Sequence, residues 1–434
     1  MNNLLQDILK SMDSIDGWHI IDKETSSQEL FFVRQAVDMN RLKKVHHFIV
    51  TVYKDFEKDG NKYKGSSTTK IAPTMTREEI TEALEDASYA ASFVMNPYYP
   101  LVKPETQDVA PIKSDMTKKS LSSWLPDFTQ AIFKSDIKEA AALNSSELFL
   151  NDNTYRIVNS EGVDVTYSNY DIHLEFITNW KGKEEVESFK NMNFADYRPD
   201  QISDEVKTMI DFSRDKSNAG KTPNLSDYNV LLSGEAVSSM MSYYVDLSNV
   251  QSVYEEISTF KLDDPIQGGD IKGDKVSITL DPNLTNSSFS KPYDQDGLIM
   301  KKVKIVEDGK LINYWGNSRY AHYMNVVPTG SIRNVVVAPG SKSIEAMKSK
   351  PYIELVEFSD FQMDSMTGDF AGEIRLAYYY DGKSLEPVTT GSVSGNIKNL
   401  QDDFYLSKEC HQDNSYYGPK TLQLPKLNIN GSNE

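Results

Sequence analysis

A chain of 434 residues has room for two or three domains and a sizeable core. Its 64 acidic and 46 basic residues give a net charge of −18, which repels a phosphate backbone unless a local basic patch exists, and the densest basic run (Arg41, Lys43 and Lys44 before His46 and His47) is too short to form one. One cysteine, Cys410, excludes an intramolecular disulfide, no run approaches the roughly 18 apolar residues of a membrane span, and MNNLLQDILK lacks the basic and apolar segments of a secretory signal, so the expectation is a cytoplasmic protein that engages neither nucleic acid nor membrane.

Leu4, Leu5, Ile8, Leu9 and Met12 are spaced as the inner face of a helix. Strands are predicted near 28–38, 44–56 and 62–71, with Asp59-Gly60 as a turn between the last two. Thr76 and Glu79 make a capping box for a helix with Ile80, Ala83, Leu84, Ala87, Ala91 and Val94 inward, ended by Asn96-Pro97. A loop with Pro104 and Pro111 leads to a helix around Leu125 to Ile137 that carries Phe128, Ile132 and Phe133. Strands near 146–150, 154–159, 163–169, 171–179 and 184–190 follow, punctuated by Asn151-Asp152, Glu161-Gly162 and Lys181-Gly182. Helix followed by meander thus occurs twice, which suggests a structural duplication.

Residues 191–228 turn polar, with Ser203 a candidate N-cap, Val206, Met209 and Ile210 apolar, and SRDKSNAGKTPNLSD a loop or linker. The domain boundary is placed near 200, dividing an N-terminal α+β domain, 1–200, from a β-rich C-terminal domain, 201–434. Beyond Asp274 strands are expected at 275–280, 299–306, 334–337, 352–358 and 374–380, giving an α+β fold whose C-terminal part has a large, mainly antiparallel sheet and few helices.

The stretch NVLLSGEAVSSMMSYY carries the most chemical information. Val230, Leu231 and Leu232 read as a strand, and Ser233 as the N-cap of a helix with Val237, Met240, Met241 and Tyr244 buried. Glu235, Ser238, Ser239 and Ser242 share the other face, and a polar stripe of this kind is usually a solvated surface. A zinc hydrolase needs two imidazoles on one helical face, with a carboxylate beside them to take a proton from bound water. Here the carboxylate is present and the imidazoles are absent.

Other pieces of the chain carry a resemblance: IVNSEGVDVTY at 157–167, GDKVSITLDP at 273–282, YDQDGLIMKKVKIVEDGKL at 293–311, PTG at 328–330, APGSKSIEAM at 338–347, and YIELVEFSDFQMDSMTGDFAGEIRLAYYYDGK at 352–383. In number and order they resemble the TldD/PmbA family, once labelled modulators of DNA gyrase and now associated with peptide hydrolysis. The resemblance implies that a His-Glu-x-x-x-His helix and a C-terminal cysteine hold zinc in the metal-bearing members. The first His position is Gly234 here, the Glu is Glu235 and the second His position is Ser239. The chain therefore resembles the PmbA, or TldE, branch that lacks the zinc site. No catalytic residue, metal or cofactor is expected, with Cys410 the one weak candidate for the family's cysteine ligand.

Near-miss motifs add little. GGDIKG runs into Asp274 where a phosphate loop needs Lys, and Ser213-x-x-Lys216 lacks its Lys-Thr-Gly partner. Tyr243, Tyr244, Tyr314, Tyr320 and Tyr323 suit either a core or a cavity wall. The resulting expectation is a catalytically silent subunit that pairs with itself or with a metal-bearing TldD-like subunit, in a peptidase acting on unfolded peptides. In it Ser238, Ser242 and Tyr243 would line a cavity. The alternatives are a stand-alone hydrolase using Glu235 with Cys410 or His411, and a homodimeric module that binds extended peptides by strand addition.

Overall fold

The computed structural model describes residues 1–107, 109, 112–136 and 141–432. Pro111 and Ile137, expected in a loop and at a helix end, lie outside them. The fold is α+β throughout.

Helix α1 (Asn2–Lys10) leads into two very long strands, β1 (Gly17–Val33) and β2 (Ala36–Lys58), followed by β3 (Asn61–Ile71), α2 (Arg77–Ala91) and the short β4 (Asn96–Pro97). The expected strand at 28–38 crosses the tip of this hairpin, where Arg34 adopts φ +55° and the chain reverses. Asp59-Gly60, with φ of +52° and +77°, is the tight turn between β2 and β3. At α2, Thr76 Oγ1 accepts from Glu79 N at 3.2 Å and Thr76 N donates to Glu79 Oε2 at 2.7 Å, a complete capping box. That helix stops at Ala91, ahead of Asn96-Pro97, and Val94 beyond its end is exposed. Its approach to β3 depends on Gly65, where a β-carbon would stand 2.0 Å from the Ala91 carbonyl oxygen.

The second half repeats the plan with α3 (Leu121–Phe133), β5 (Ala141–Asn159), β6 (Asp164–Lys181), β7 (Glu185–Phe194) and α4 (Pro199–Lys216). Here the five short strands expected from turn residues become three long ones. Asn151-Asp152 does not reverse the chain, because the β1–β5 ladder runs through it without a break and Asn151 Oδ1 accepts from the Ser27 hydroxyl. All seven strands form one sheet in the order β4-β3-β2-β1-β5-β6-β7, with the two halves meeting at antiparallel β1 and β5.

The even-numbered residues of β1 share one face of the sheet, and the two ends of that face serve two cores. Trp18 and Ile20 join Leu5, Ile8, Leu9, Ile80 and Leu84 in one core, while Leu30 and Phe32 join Phe128, Ile132, Phe176, Val206 and Ile210 in a second. Between the two cores that face is polar, with Asp22, Glu24, Ser26 and Gln28, and the opposite face carries Ser27 and Glu29. Helix α4 begins at Pro199 rather than at Ser203, which is buried one turn in with its hydroxyl on the Asp200 carbonyl, and Pro at the first helical position is conformationally preset. The boundary expected near 200 thus falls in the first turn of a helix whose apolar face, Ile202, Val206, Met209 and Ile210, packs into the core of the first sheet.

From residue 220 the chain builds β8 (Gly220–Lys221), β9 (Leu225–Ser233) and α5 (Glu235–Leu247), then mostly strands. Strand β9 is central in an eight-stranded sheet, between Tyr352–Met363, to which it is parallel, and Thr421–Asn430, to which it is antiparallel. A further pairing of Tyr352–Met363 with Asp369–Tyr380 closes this sheet on itself. A six-stranded sheet includes Ile278–Leu280, Val335–Val337, Tyr416–Pro419 and, at one edge, Cys410–Asp413. Helix α5 lies in the core that both sheets share.

Candidate functional site

Helix α5 is placed by the strand before it. Val230, Leu231 and Leu232 are fully buried and hold the end of β9 in the middle of its sheet. Ser233 is not the N-cap that its type suggests: it is the last strand residue, and its hydroxyl donates to Glu354 Oε1 at 2.9 Å and lies 3.0 Å from Thr421 Oγ1. Gly234 takes the cap position with φ +70° and ψ −137°, a conformation that favours glycine. The abrupt strand-to-helix turn thus needs a residue without a β-carbon at the first of the two positions where the resemblance puts an imidazole.

On the inward face, Val237, Met240, Met241 and Tyr244 are all fully buried, as their spacing requires. Tyr244 also donates its hydroxyl to Gln401 Oε1 at 2.8 Å. On the outward face, Glu235, Ser238, Ser239 and Ser242 line a hollow of about 690 Å³ together with Asp246, Asn191 and Asn193 from β7, Trp315, Arg333 and residues 413–416. Tyr243 does not face it. That ring is 3% exposed and packs edge-on against Tyr244 and Phe260. The i+1 step from Ser242 turns it off the polar stripe and into the core, so its place on a cavity wall is corrected here.

The three serines are less available than their exposure suggests. Ser238 and Ser239 both donate to the Glu235 carbonyl, at 2.8 and 3.1 Å, and Ser242 donates to the Ser239 carbonyl at 2.7 Å. Their protons are engaged within the helix, and what they present to the hollow is acceptor oxygen. Hydrogen bonds of this kind activate no nucleophile.

Glu235 is paired with Lys190, a residue with no mark of function in the sequence. The Lys190 ammonium lies 2.8 Å from Glu235 Oε1 and 3.4 Å from Glu205 Oε1, the latter on α4. Burial works against its charge, but Glu205 and Glu235, with Asp413 beyond, hold its pKa above the ordinary lysine value. Burial raises the Asp413 carboxyl, against the opposing pull of Lys190. His411, two residues away on the same side of its strand, is pushed down to about 4 by burial and by Lys420 and Lys190, and is therefore neutral at pH 7.

Cys410 does not join this group. It alternates with His411 and Asp413 along the edge strand, its Sγ lies 3.7 Å from the Lys408 carbonyl oxygen, and burial with Glu409 raises its pKa. A raised thiol is a poor nucleophile and a poor metal ligand at neutral pH. Among the described residues no group of three or more His, Cys, Asp and Glu side chains is arranged to hold a metal ion. The remaining tyrosines divide: Tyr314 packs against the C-terminal core, whereas Tyr320 and Tyr323 cluster with Tyr254 and Arg319, away from the hollow.

Residues 226–431, which contain β9, α5 and the edge strand, match the model of the PmbA/TldA metallopeptidase C-terminal domain. The C-terminal half of the chain is therefore similar to the PmbA/TldD family. The crystal structure of TldE from Thermococcus kodakarensis has the same fold, with a TM-score of 0.80 over 99% of this chain and 100% of that one at 16% identity. A protein of Methanocaldococcus jannaschii is 26% identical over 280 residues, 62% of this chain and 65% of its own. The metalloprotease PmbA of Escherichia coli O157:H7 is 25% identical over 207 residues, 46% and 45% of the two chains. Both alignments span less than two thirds of the relative. Within the matched region, α5 presents the carboxylate of Glu235 with the Lys190 ammonium beside it.

Proposed function

We propose that this chain is the metal-free, PmbA/TldE-like subunit of a peptidase that acts on unfolded peptides, with cleavage supplied by a metal-bearing TldD-like partner. The observation that carries the reading is the composition of the hollow at α5. Its asparagine, serine and carboxylate groups around one tryptophan offer hydrogen-bond partners and an apolar surface to a peptide. Yet the groups that would activate water are replaced by Gly234 and Ser239, and Glu235 is tied to Lys190. The chain contributes wall and docking surface, and its fold keeps α5 presented as a metal-bearing helix would be.

A stand-alone hydrolase using Glu235 with Cys410 or His411 draws no support from the geometry, since the thiol lies outside the hollow and neither group is among the residues lining it. The subunit reading is tested by sedimentation of the chain alone and mixed with a TldD-like chain. A dimer alone and a mixed complex after addition are expected, with an interface at or above about 1,600 Å² in total. A strictly monomeric chain that leaves the partner's sedimentation unchanged contradicts it.

A further inference from the structure

Three carboxylates from three separate elements, Glu235 from α5 and Asp413 from the edge strand at the hollow and Glu205 from α4 behind them, all act on one ammonium, that of Lys190 on β7. The lysine side chain is 20% exposed and Glu205 34%, whereas Glu235 is 68% exposed, so solvent screens the Glu235 contact more than the Glu205 one. Without a cation, three carboxylates brought this close would repel one another. The same spot carries no side-chain donor at Gly234, whose φ of +70° resists any residue with a β-carbon, and only helix-bonded hydroxyls at Ser238 and Ser239.

We propose that Lys190 is a tethered counter-ion for this hollow, supplying from within the chain the positive charge that a metal ion supplies to a helix of this pattern and pinning the edge of the first sheet to α5. The hollow is then a charge-compensated site in its own right, one that has no call for a divalent cation. The inference rests on the ion-pair geometry and does not depend on the subunit reading, so a failed mixing experiment leaves it standing.

The His411 imidazole serves as the reporter, because Lys190 is one of the groups that hold its titration down to about 4. In the full-length protein with labelled histidines, assigned with H411N, the K190M variant is expected to move the His411 midpoint upward, while K190R leaves it near the wild-type value. K190Q carries the same test if K190M does not fold. Manganese(II) added to the wild-type protein is expected to leave the resonances of residues 235–242 unbroadened. A folded K190M or K190Q whose His411 midpoint is unchanged overturns the proposal, as does a wild-type chain that takes up manganese(II) at Ser238 and Ser239.

Discussion

Glu235 shows how far one side chain's role is set by its neighbours. Beside a metal-bound water it would be a general base, but here its nearest charged partner is an ammonium 2.8 Å away and its side chain is 68% exposed. A half-solvated ion pair of this kind contributes roughly 1 kcal/mol or less. Glu235→Gln is therefore expected to lower unfolding free energy by no more than about that amount and to leave partner-dependent peptide cleavage intact. Denaturant titration and a peptidase assay of the mixed complex check both halves, and a loss of several orders of magnitude in cleavage with fold and assembly unchanged shows the carboxylate to be catalytic.

A second residue carries a pH signature. Asp294 is fully buried, its Oδ1 accepts from the Asp296 and Leu298 amides, and its Oδ2 has no partner among the described residues. Burial, with Asp296 beside it, pushes its pKa up to about 7. A raised carboxyl contributes stability that is fully present below the ordinary value of about 4 and is lost as pH rises through the folded value. Stability of the wild type should thus fall between about pH 4 and 7 through this group, and Asp294→Asn should flatten that part of the curve. Thermal denaturation across the range reads the slope, and identical profiles for the two proteins contradict the assignment.

At the scale of elements, α5 and α2 were legible because their information is local. The i, i+3, i+4, i+7 spacing of Val237, Met240, Met241 and Tyr244 states which face is buried, and Thr76 with Glu79 states where α2 begins. Met240→Ala should cost about 2–5 kcal/mol by leaving a cavity between the two sheets. Thr76→Ala should cost about 1 kcal/mol through the lost cap. Urea titrations rank the two, and the reverse order contradicts the assigned packing. Strand lengths were not legible, because Asn151-Asp152 has the composition of a turn and only its pairing with β1 and β6 decides that it is strand. The cap at Ser233 failed for a similar reason: the hydroxyl is claimed by Glu354 and Thr421, more than a hundred residues away.

The same limit governs the site. Glu235, Ser238, Ser239 and Ser242 lie on one helix and could be grouped from spacing alone. Lys190, Glu205 and Asp413 reach them through tertiary structure and carry no motif. Tyr243 shows the converse, an aromatic next to the polar stripe that belongs to the core.

For the whole molecule, the seven-stranded and six-stranded sheets meet at the hollow, with β7 of the former facing α5 and the edge strand Cys410–Asp413 of the latter. Among the described residues no helix is long and apolar enough to cross a membrane. Because Gly234 has no side-chain donor and Ser239 only a hydroxyl bonded within the helix, elemental analysis after dialysis without chelator should find well under one zinc per chain. One tightly held zinc, lost in Cys410→Ser, contradicts that expectation. The most direct measurement of the central claim is cleavage of an unstructured peptide by this chain alone, by a TldD-like chain alone, and by the two together. The account predicts no cleavage by this chain alone and faster cleavage by the mixture than by the partner. Metal-dependent cleavage by this chain alone, or a partner whose rate is unmoved by its addition, contradicts it.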